Sequence, residues 1–565
     1  MLVSLAAHSM ATTATHFSVK ARDDKARCGI LSTRNGVVET PAVLLYTRRG
    51  GPLNLTSPDM LAAVTPPVQG VQLSAMQFLE NPDASILREY GRGAHGFLCL
   101  EGFPVLASNR DPTMYEYAMR PSTDKEVHVS IHSGGHMVSP ERYMETMAAL
   151  KPDLFVSLCD EVPADATSKR VATSIMRTAA WLDACLQLHY TYQHQNRQAT
   201  GGGQEVDPQP CGGSSNKGNG ACGRSSADGK GSADNGSSSA GEGPLAGSLL
   251  LAALAGGGLA MERARAAAAV ADKEGVGGYA LCGLGAGEAP EQRPALIAAS
   301  LGALSPIALE RRPVFASGLS ASPEDILAAV AEGVDLMDCA FVAQVTAGGY
   351  ALTFPLRPHQ GWRPPAAPDE ELIAEADRAP VREPQPQLDR AAPPSSSLFG
   401  LSAAPGLGPD TSIGADDTKI NLWSTSYRLD KGPLLPGCGC FACRRHSRAY
   451  VHHLLNTHEM LGDVLLEAHN TGHINAFLQA IREAITEGRF EEYRQWFRSL
   501  RSAPLVPAPR RVVAKRRASA EPSEPIESEP GTVEVTMTGA MEVEAHVARG
   551  GSGSREQRRS KWVSV

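Results

Sequence analysis

Short β-forming runs alternate along this chain with helical patterns, at a spacing that indicates a parallel sheet with crossover helices. The runs lie at residues 96–100, 127–132, 154–159, 279–284, 314–317 and 336–340, and helical patterns at 139–150, 168–192 and 323–332. The last helix has a well-formed start. Ser322 is its expected N-cap, Pro323 suits the first helical position, and Glu324 and Asp325 favour the positive end of the helix dipole. With this many βα units the expected fold is α/β, a (β/α)₈ barrel of the TIM type. An open doubly wound sheet is the alternative.

The chain has 565 residues, more than one barrel needs, and its 55 Gly and 40 Pro are unevenly spread. Residues 194–243 are mostly Gly, Ser, Asn and Asp with almost no large apolar side chain. Such a segment buries too little surface to offset its ordering entropy and is expected to be a disordered insert. Residues 364–417, rich in Pro, Ala and charge, are expected to be a second one. A flexible N-terminus is expected over 1–16, and a disordered tail over 502–565. The tail carries a basic block at 510–517, an acidic one at 521–529 and a basic one at 555–561. A barrel body is thus expected over 17–500.

Fifty-three Lys and Arg against 61 Asp and Glu give a net charge of −8, which excludes a uniformly basic nucleic-acid coat. The tail holds ten basic and eight acidic residues, so it adds +2 and the rest of the chain carries −10. No uninterrupted apolar run reaches the roughly 18 residues of a membrane span. The nearest candidate, 245–260, is diluted by Gly256, Gly257 and Gly258. Eleven mostly isolated cysteines suit a reducing compartment rather than a disulfide framework.

The strongest chemical signal is C-x-C-x₂-C at Cys438, Cys440 and Cys443, directly after a Pro-Gly turn, with His469 following on a helical segment. Three thiolates and one imidazole make a closed tetrahedral Zn²⁺ set, structural rather than catalytic. Redox-active cysteines are the competing reading. His446, His452, His453 and His458 are rival fourth ligands but read better as surface or packing histidines. Further on, Ile474, Phe477, Leu478, Ile481 and Ile485 share one helical face, with Phe490, Tyr493, Trp496 and Phe497 following. This pattern fits a docked amphipathic helix better than a subunit contact. GLGAG at 283–287 lacks the third-glycine spacing of a dinucleotide loop.

The block INLWSTSYRLDKGPLLPGCGCFACRRHSRAYVHHLL…HN resembles the zinc-binding region of the tRNA-guanine transglycosylases. TPAVLLYTRRG, LCDEVP, YALCGLGAGE, RPVFASGLSASPEDILAAVAEGVDLMDC and EEYRQWF resemble that family in the same order, over roughly residues 17 to 500. The resemblance implies a (β/α)₈ barrel with a zinc subdomain at about 419–500 and one structural Zn²⁺ per subunit. It also implies exchange of guanine for queuine at wobble position 34 of tRNAs with GUN anticodons. The family reaction is covalent: one Asp attacks ribose C1′ as guanine leaves, and a second Asp handles protons and orients the base. Asp338 matches the nucleophile. Asp160, Gly283 and Leu284 match base-contacting positions.

Other matched positions depart from the family. Ser108 stands where the second Asp belongs, Ala255 replaces a base-reading Gln, and Gln344 and Ala347 replace two tRNA-clamping arginines. A serine is uncharged at neutral pH and is no comparable general base. Losing two charge-assisted phosphate contacts weakens tRNA binding. The stretch 344–354 resembles the accessory, non-catalytic subunit of the eukaryotic enzyme. That resemblance implies a heterodimer with a catalytic subunit, contact with tRNA through the complex, and an interface on the zinc subdomain. It further implies a cytoplasmic protein, with peripheral association at the mitochondrial outer membrane. Two alternatives remain: an active transglycosylase using Asp338, and a queuine-binding or salvage module.

Overall fold

A computed structural model describes residues 15–48, 51–52, 54–55, 64–80, 82–113, 121–131, 134–194, 243–319, 322–358, 362 and 418–500. The expected inserts and tail, and residues 1–14, lie outside the described residues apart from edge positions. Those edges are ordered: His16 opens the strand His16–Asp23, and His194 ends the helix Ser168–His194.

Eight parallel strands form the core. In chain order they are Ala42–Arg48, Val71–Ser74, Val105–Ser108, Leu154–Val156, Leu249–Leu254, Gly278–Leu281, Val314–Ala316 and Leu336–Asp338. Each pairs with the next. The eighth returns to the first in parallel register, Leu336 opposite Ala42 and Asp338 opposite Leu44, so the sheet closes on itself. The expected barrel is therefore present, and the open sheet is excluded.

The two-residue period of a strand sorts the barrel's side chains. Leu44, Leu106, Leu154, Val156, Leu251, Ala253, Ala280, Phe315 and Leu336 fill the interior. Their neighbours Leu45, Ala107, Phe155, Leu250, Ala252, Tyr279, Val314 and Met337 face the helices. An antiparallel meander, His16–Asp23, Ala26–Thr33 and Gly36–Thr40, supplies Phe17, Leu31 and Val38 to the same interior. Three large side chains thus plug the bottom of the barrel, each burial contributing about 1.5–3 kcal/mol. Beside them, buried Arg27 donates Nε to Asp335 Oδ1 at 2.9 Å and Nη2 to Oδ2 at 2.5 Å.

Local sequence explains the crossover helices. Ser139 and Ser322 cap Pro140–Leu150 and Pro323–Ala331, each followed by Pro at the first turn, and Ser322 Oγ accepts from Asp325 N. Some elements differ from the sequence expectation. Residues 96–100 are not a strand, since Gly93–Phe97 is a short helix flanked by left-handed Gly91 and Gly93. The third strand is instead Val105–Ser108, too short to carry a periodic signal. The strand expected at 127–132 exists as Val127–Ile131, but it pairs antiparallel with Gly134–Val138 outside the barrel. Barrel strands one, two and five fall where no strand was expected. The fifth lies inside the apolar run considered as a membrane segment. Among the described residues no helix is long and apolar enough to cross a membrane.

After the eighth strand the chain forms Ala340–Ala347 and then Tyr350–Leu352, which pairs antiparallel with Lys419–Asn421. Helices Phe441–Arg445, Arg448–Asn456, Met460–Thr486 and Phe490–Ser499 complete the described chain. The aromatic run packs internally: Phe354, Phe477, Tyr493, Trp496 and Phe497 are buried together.

Arg27→Ala would leave Asp335 buried without its cation. We expect a loss of about 3–5 kcal/mol in unfolding free energy, measured by urea denaturation.

Candidate functional site

Two places concentrate chemistry-bearing residues: a thiol–imidazole cluster beside the barrel and the C-terminal mouth of the barrel. In the cluster, Cys440 caps Phe441–Arg445, its Sγ accepting from Cys443 N, so one short helix start sets two thiols. The fourth residue comes from far along the chain. His469 lies on the 27-residue helix Met460–Thr486, as its tenth residue. Its Nδ1 is 3.8 Å from Cys438 Sγ, 3.5 Å from Cys440 Sγ and 3.4 Å from Cys443 Sγ. All four ligand atoms lie within 4.8 Å of one another, an arrangement able to hold a metal ion.

Outer contacts orient the imidazole. Nε2 lies 2.8 Å from Leu352 O, which fixes the proton on Nε2 and leaves the Nδ1 lone pair facing the thiols. The adjacent Asn470 accepts from Leu352 N and donates to Tyr350 O and Thr346 Oγ1, tying the helix to the strand after the barrel. The rival histidines lie elsewhere: buried His452 Nδ1 meets Leu422 O at 2.7 Å, and His446 stacks on Tyr450. Hydrogen bonds from the Cys440 and Cys443 thiols hold Cys438 far below the ordinary thiol range.

At the mouth, strand alternation turns Ser108 and Asp338 inward at the ends of the third and eighth strands, with Gln72 of the second strand beside Ser108. Asp338 is 3% exposed and both oxygens are engaged. Oδ2 accepts from Ser317 Oγ at 2.9 Å and Gly318 N at 2.6 Å, and Oδ1 from Ala340 N at 3.1 Å. Burial raises its pKa despite these three donors. The seat depends on Gly318, whose φ of +95° and closeness to the next loop leave no room for a side chain. A Cβ there would lie 2.0 Å from Leu284 O. Ser108, also buried, accepts from Gln72 Nε2 at 3.1 Å and donates to Arg110 O at 2.8 Å.

Asp160 enters the mouth after the fourth strand and is held by Arg170 through two contacts of 2.7 Å. Gly283 O accepts from Arg263 Nη2 at 3.1 Å, and Cys282 O from Nη1 at 3.2 Å. In the GLGAG loop, Gly285 N and Ala286 N both donate to the Glu288 carboxylate, at 2.6 and 2.8 Å. Burial alone would raise Glu288, but Arg293 and those amides hold it low. Arg293 also pairs with Asp325, so a buried network closes this side of the mouth. Sequence reasoning named none of Arg170, Arg263, Glu288 and Arg293. Nothing in their spacing sets them apart from surface charges. The expected site residues thus fall into two groups: Cys438, Cys440, Cys443 and His469 in one cluster, and Ser108, Asp160, Gly283, Leu284 and Asp338 around the mouth.

Fold and site together define a TIM barrel bearing an appended Cys₃His cluster. The queuine tRNA-ribosyltransferase family pattern matches residues 23–205 and 237–503, and the chain belongs to that family. It is 31% identical over 487 residues to the queuine tRNA-ribosyltransferase accessory subunit 2 of Xenopus tropicalis, covering 84% of this chain and 96% of the relative. Its identity to the human accessory subunit 2 is 28% over 472 residues, 82% of this chain and 93% of that one. The queuine tRNA-ribosyltransferase of Thermus thermophilus is 24% identical over 493 residues, 87% and 95% of the two chains.

Asp338→Ala would strand three donors that converge on the carboxylate, each costing about 1–3 kcal/mol when buried and unpaired. Thermal unfolding should show a clear loss of stability, whereas Ser108→Ala should cost less because its hydrogen bonds to Gln72 and Arg110 are between neutral groups.

Proposed function

We propose that this chain is the non-catalytic subunit of a two-subunit queuine tRNA-ribosyltransferase, which exchanges guanine for queuine at position 34 of tRNAs with GUN anticodons. The observation that carries the reading is the state of Ser108. It stands at the position of the family's second Asp, carries no charge, and donates its one proton to Arg110 O. A neutral hydroxyl held between Gln72 and Arg110 is no general base comparable to a carboxylate. Asp338, at the nucleophile position, has both oxygens engaged by hydroxyl and backbone donors. Gln344 and Ala347 leave the helix Ala340–Ala347 without the two cationic clamp positions. In this reading the catalytic partner performs attack on C1′ and proton transfer, while this chain contributes tRNA contact surface and holds the partner in place.

The cluster at 438–469 fits zinc. A tetrahedral ion with bonds of about 2.3 Å to sulfur and about 2.05 Å to nitrogen puts S and N about 3.6 Å apart. The three separations here are 3.8, 3.5 and 3.4 Å. Cys438, Cys440, Cys443 and His469 would hold one Zn²⁺, which supplies a structural crosslink. With all four positions taken by protein, no site is left for a water or substrate. The zinc subdomain, about 419–500, is also the proposed docking face. It exposes the apolar side chains of Leu429 (78%), Met460 (78%), Phe441, Tyr450 and Leu461. An open cleft of about 520 Å³ bordered by Lys431, Arg444 and Arg445 adjoins it. Exposed apolar side chains beside a basic cleft suit a protein interface. We place the assembly in the cytoplasm, with peripheral association at the mitochondrial outer membrane.

Labelled-guanine exchange into tRNA tests the central reading. The chain alone should incorporate no label, and mixing with the catalytic subunit should give full exchange. Robust exchange by the chain alone would establish instead the active enzyme working through Asp338. For the metal, Cys440→Ser should lower zinc content and partner binding together. A variant that dimerises fully without zinc would contradict the coupling.

A further inference from the structure

Asp160 is 2% exposed at its side chain, and one residue takes both of its oxygens. Arg170 Nη1 donates to Oδ2 and Nη2 to Oδ1, each at 2.7 Å, while Arg177 Nη1 stands 3.5 Å from Oδ2. The same helix, Ser168–His194, also holds the Asp160 backbone. Asp160 N donates to Thr178 Oγ1 at 3.1 Å, and Ser174 Oγ donates to Asp160 O at 2.5 Å. Across the mouth, Arg263 is fully buried and takes the carbonyls of Gly257, Cys282 and Gly283. The acceptors that a base would use on two walls are therefore already bonded to guanidinium groups of this chain.

The match between ligand and occupant is chemical. A guanine-type base presents N1–H and a 2-amino group on two nitrogens flanking one carbon. A guanidinium presents the same fork of two parallel N–H donors, and it adds a positive charge. Against one carboxylate, the charged fork is the stronger donor pair, roughly twice as strong per hydrogen bond as a neutral one. The occupant is also tethered, so it pays no association entropy.

We infer that Arg170 is an internal occupant of the nucleobase subsite, satisfying Asp160 in place of a 2-amino-oxopyrimidine base and so excluding that class of ligand from this chain. This rests on the proposed assignment of Asp160 as a base-contacting position. Arg170 is a positioning and specificity residue here, in the first turn of its helix and one-third exposed. Its removal cuts into no apolar core, and alanine is a good helix former at that position.

Equilibrium dialysis of the full chain against radiolabelled guanine tests it. The proteins compared are wild type, Arg170→Ala, Arg170→Gln, Arg170→Ala/Arg177→Ala, and Arg170→Ala/Asp160→Asn. The Arg170 variants should bind guanine at least about tenfold more tightly than wild type, and Asp160→Asn should abolish the gain. Thermal unfolding of each variant reports that it is folded. Wild type binding as tightly as the variants would overturn the inference. So would no gain in folded Arg170→Gln and in the double arginine variant. Exchange into tRNA by the chain alone, measured separately, bears on the accessory reading and leaves the dialysis result to decide Arg170.

Discussion

Closure of the barrel depends on a strand of three residues, Leu336–Asp338, that joins the seventh strand to the first. So short a strand has little pairing energy of its own, and buried carboxylates anchor both its ends. Asp335, just before it, takes Arg27 from the N-terminal meander and Val314 N from the neighbouring strand. Asp338, its last residue, takes Ser317, Gly318 and Ala340. The lower anchor ties the meander to the barrel floor, and the upper one shapes two loops of the mouth. Asp338 thus has structural work that does not require catalysis.

The upper end of the barrel is where substrates of TIM-barrel proteins are bound. In this chain that surface is spent on internal pairing. Asp160 with Arg170, Arg263 with three carbonyls, and Glu288 with Arg293 and two amides are all satisfied within the chain. Buried charges are tolerated only when paired and hydrogen-bonded. In the proposed reading, a subunit that does not use these acceptors for a ligand must either lose them or cover them. On that reading Ser108 and Ala255 would be losses and the arginines covers.

The thiol–imidazole cluster is tied to the barrel through one long helix. His469 reaches the thiols while its neighbour Asn470 binds the backbone of Tyr350–Leu352. The far half of the same helix, from Ile474 to Ile485, is buried with Phe354, Trp496 and Phe497 against the barrel. Gly472 permits this approach, since a Cβ there would lie 2.6 Å from Thr65 O. A metal held by the four ligands would therefore stiffen the apolar face of the subdomain and its seat on the barrel together.

The amino-acid order alone carried the βα rhythm, the capped helix starts and the Cys₃His motif, because each is written in local spacing and in residue types with few other uses. It also carried Ser108 as a departure and Asp338 as a match, through resemblance to a family. Barrel strands one, two, three and five escaped it, although Ala42–Arg48 and Leu249–Leu254 are longer than the strands that were legible. A run such as LLLAAL is apolar throughout and has no alternation to mark it as a strand. Their register comes from the closed ring, not from their own sequence. The arginines of the mouth escaped it for a similar reason. Arg170 and Arg263 look like ordinary helix-surface charges until the barrel brings Asp160 and Gly283 within 3.1 Å of them. Which charges are solvated and which occupy a pocket is a matter of distances that only the tertiary structure decided.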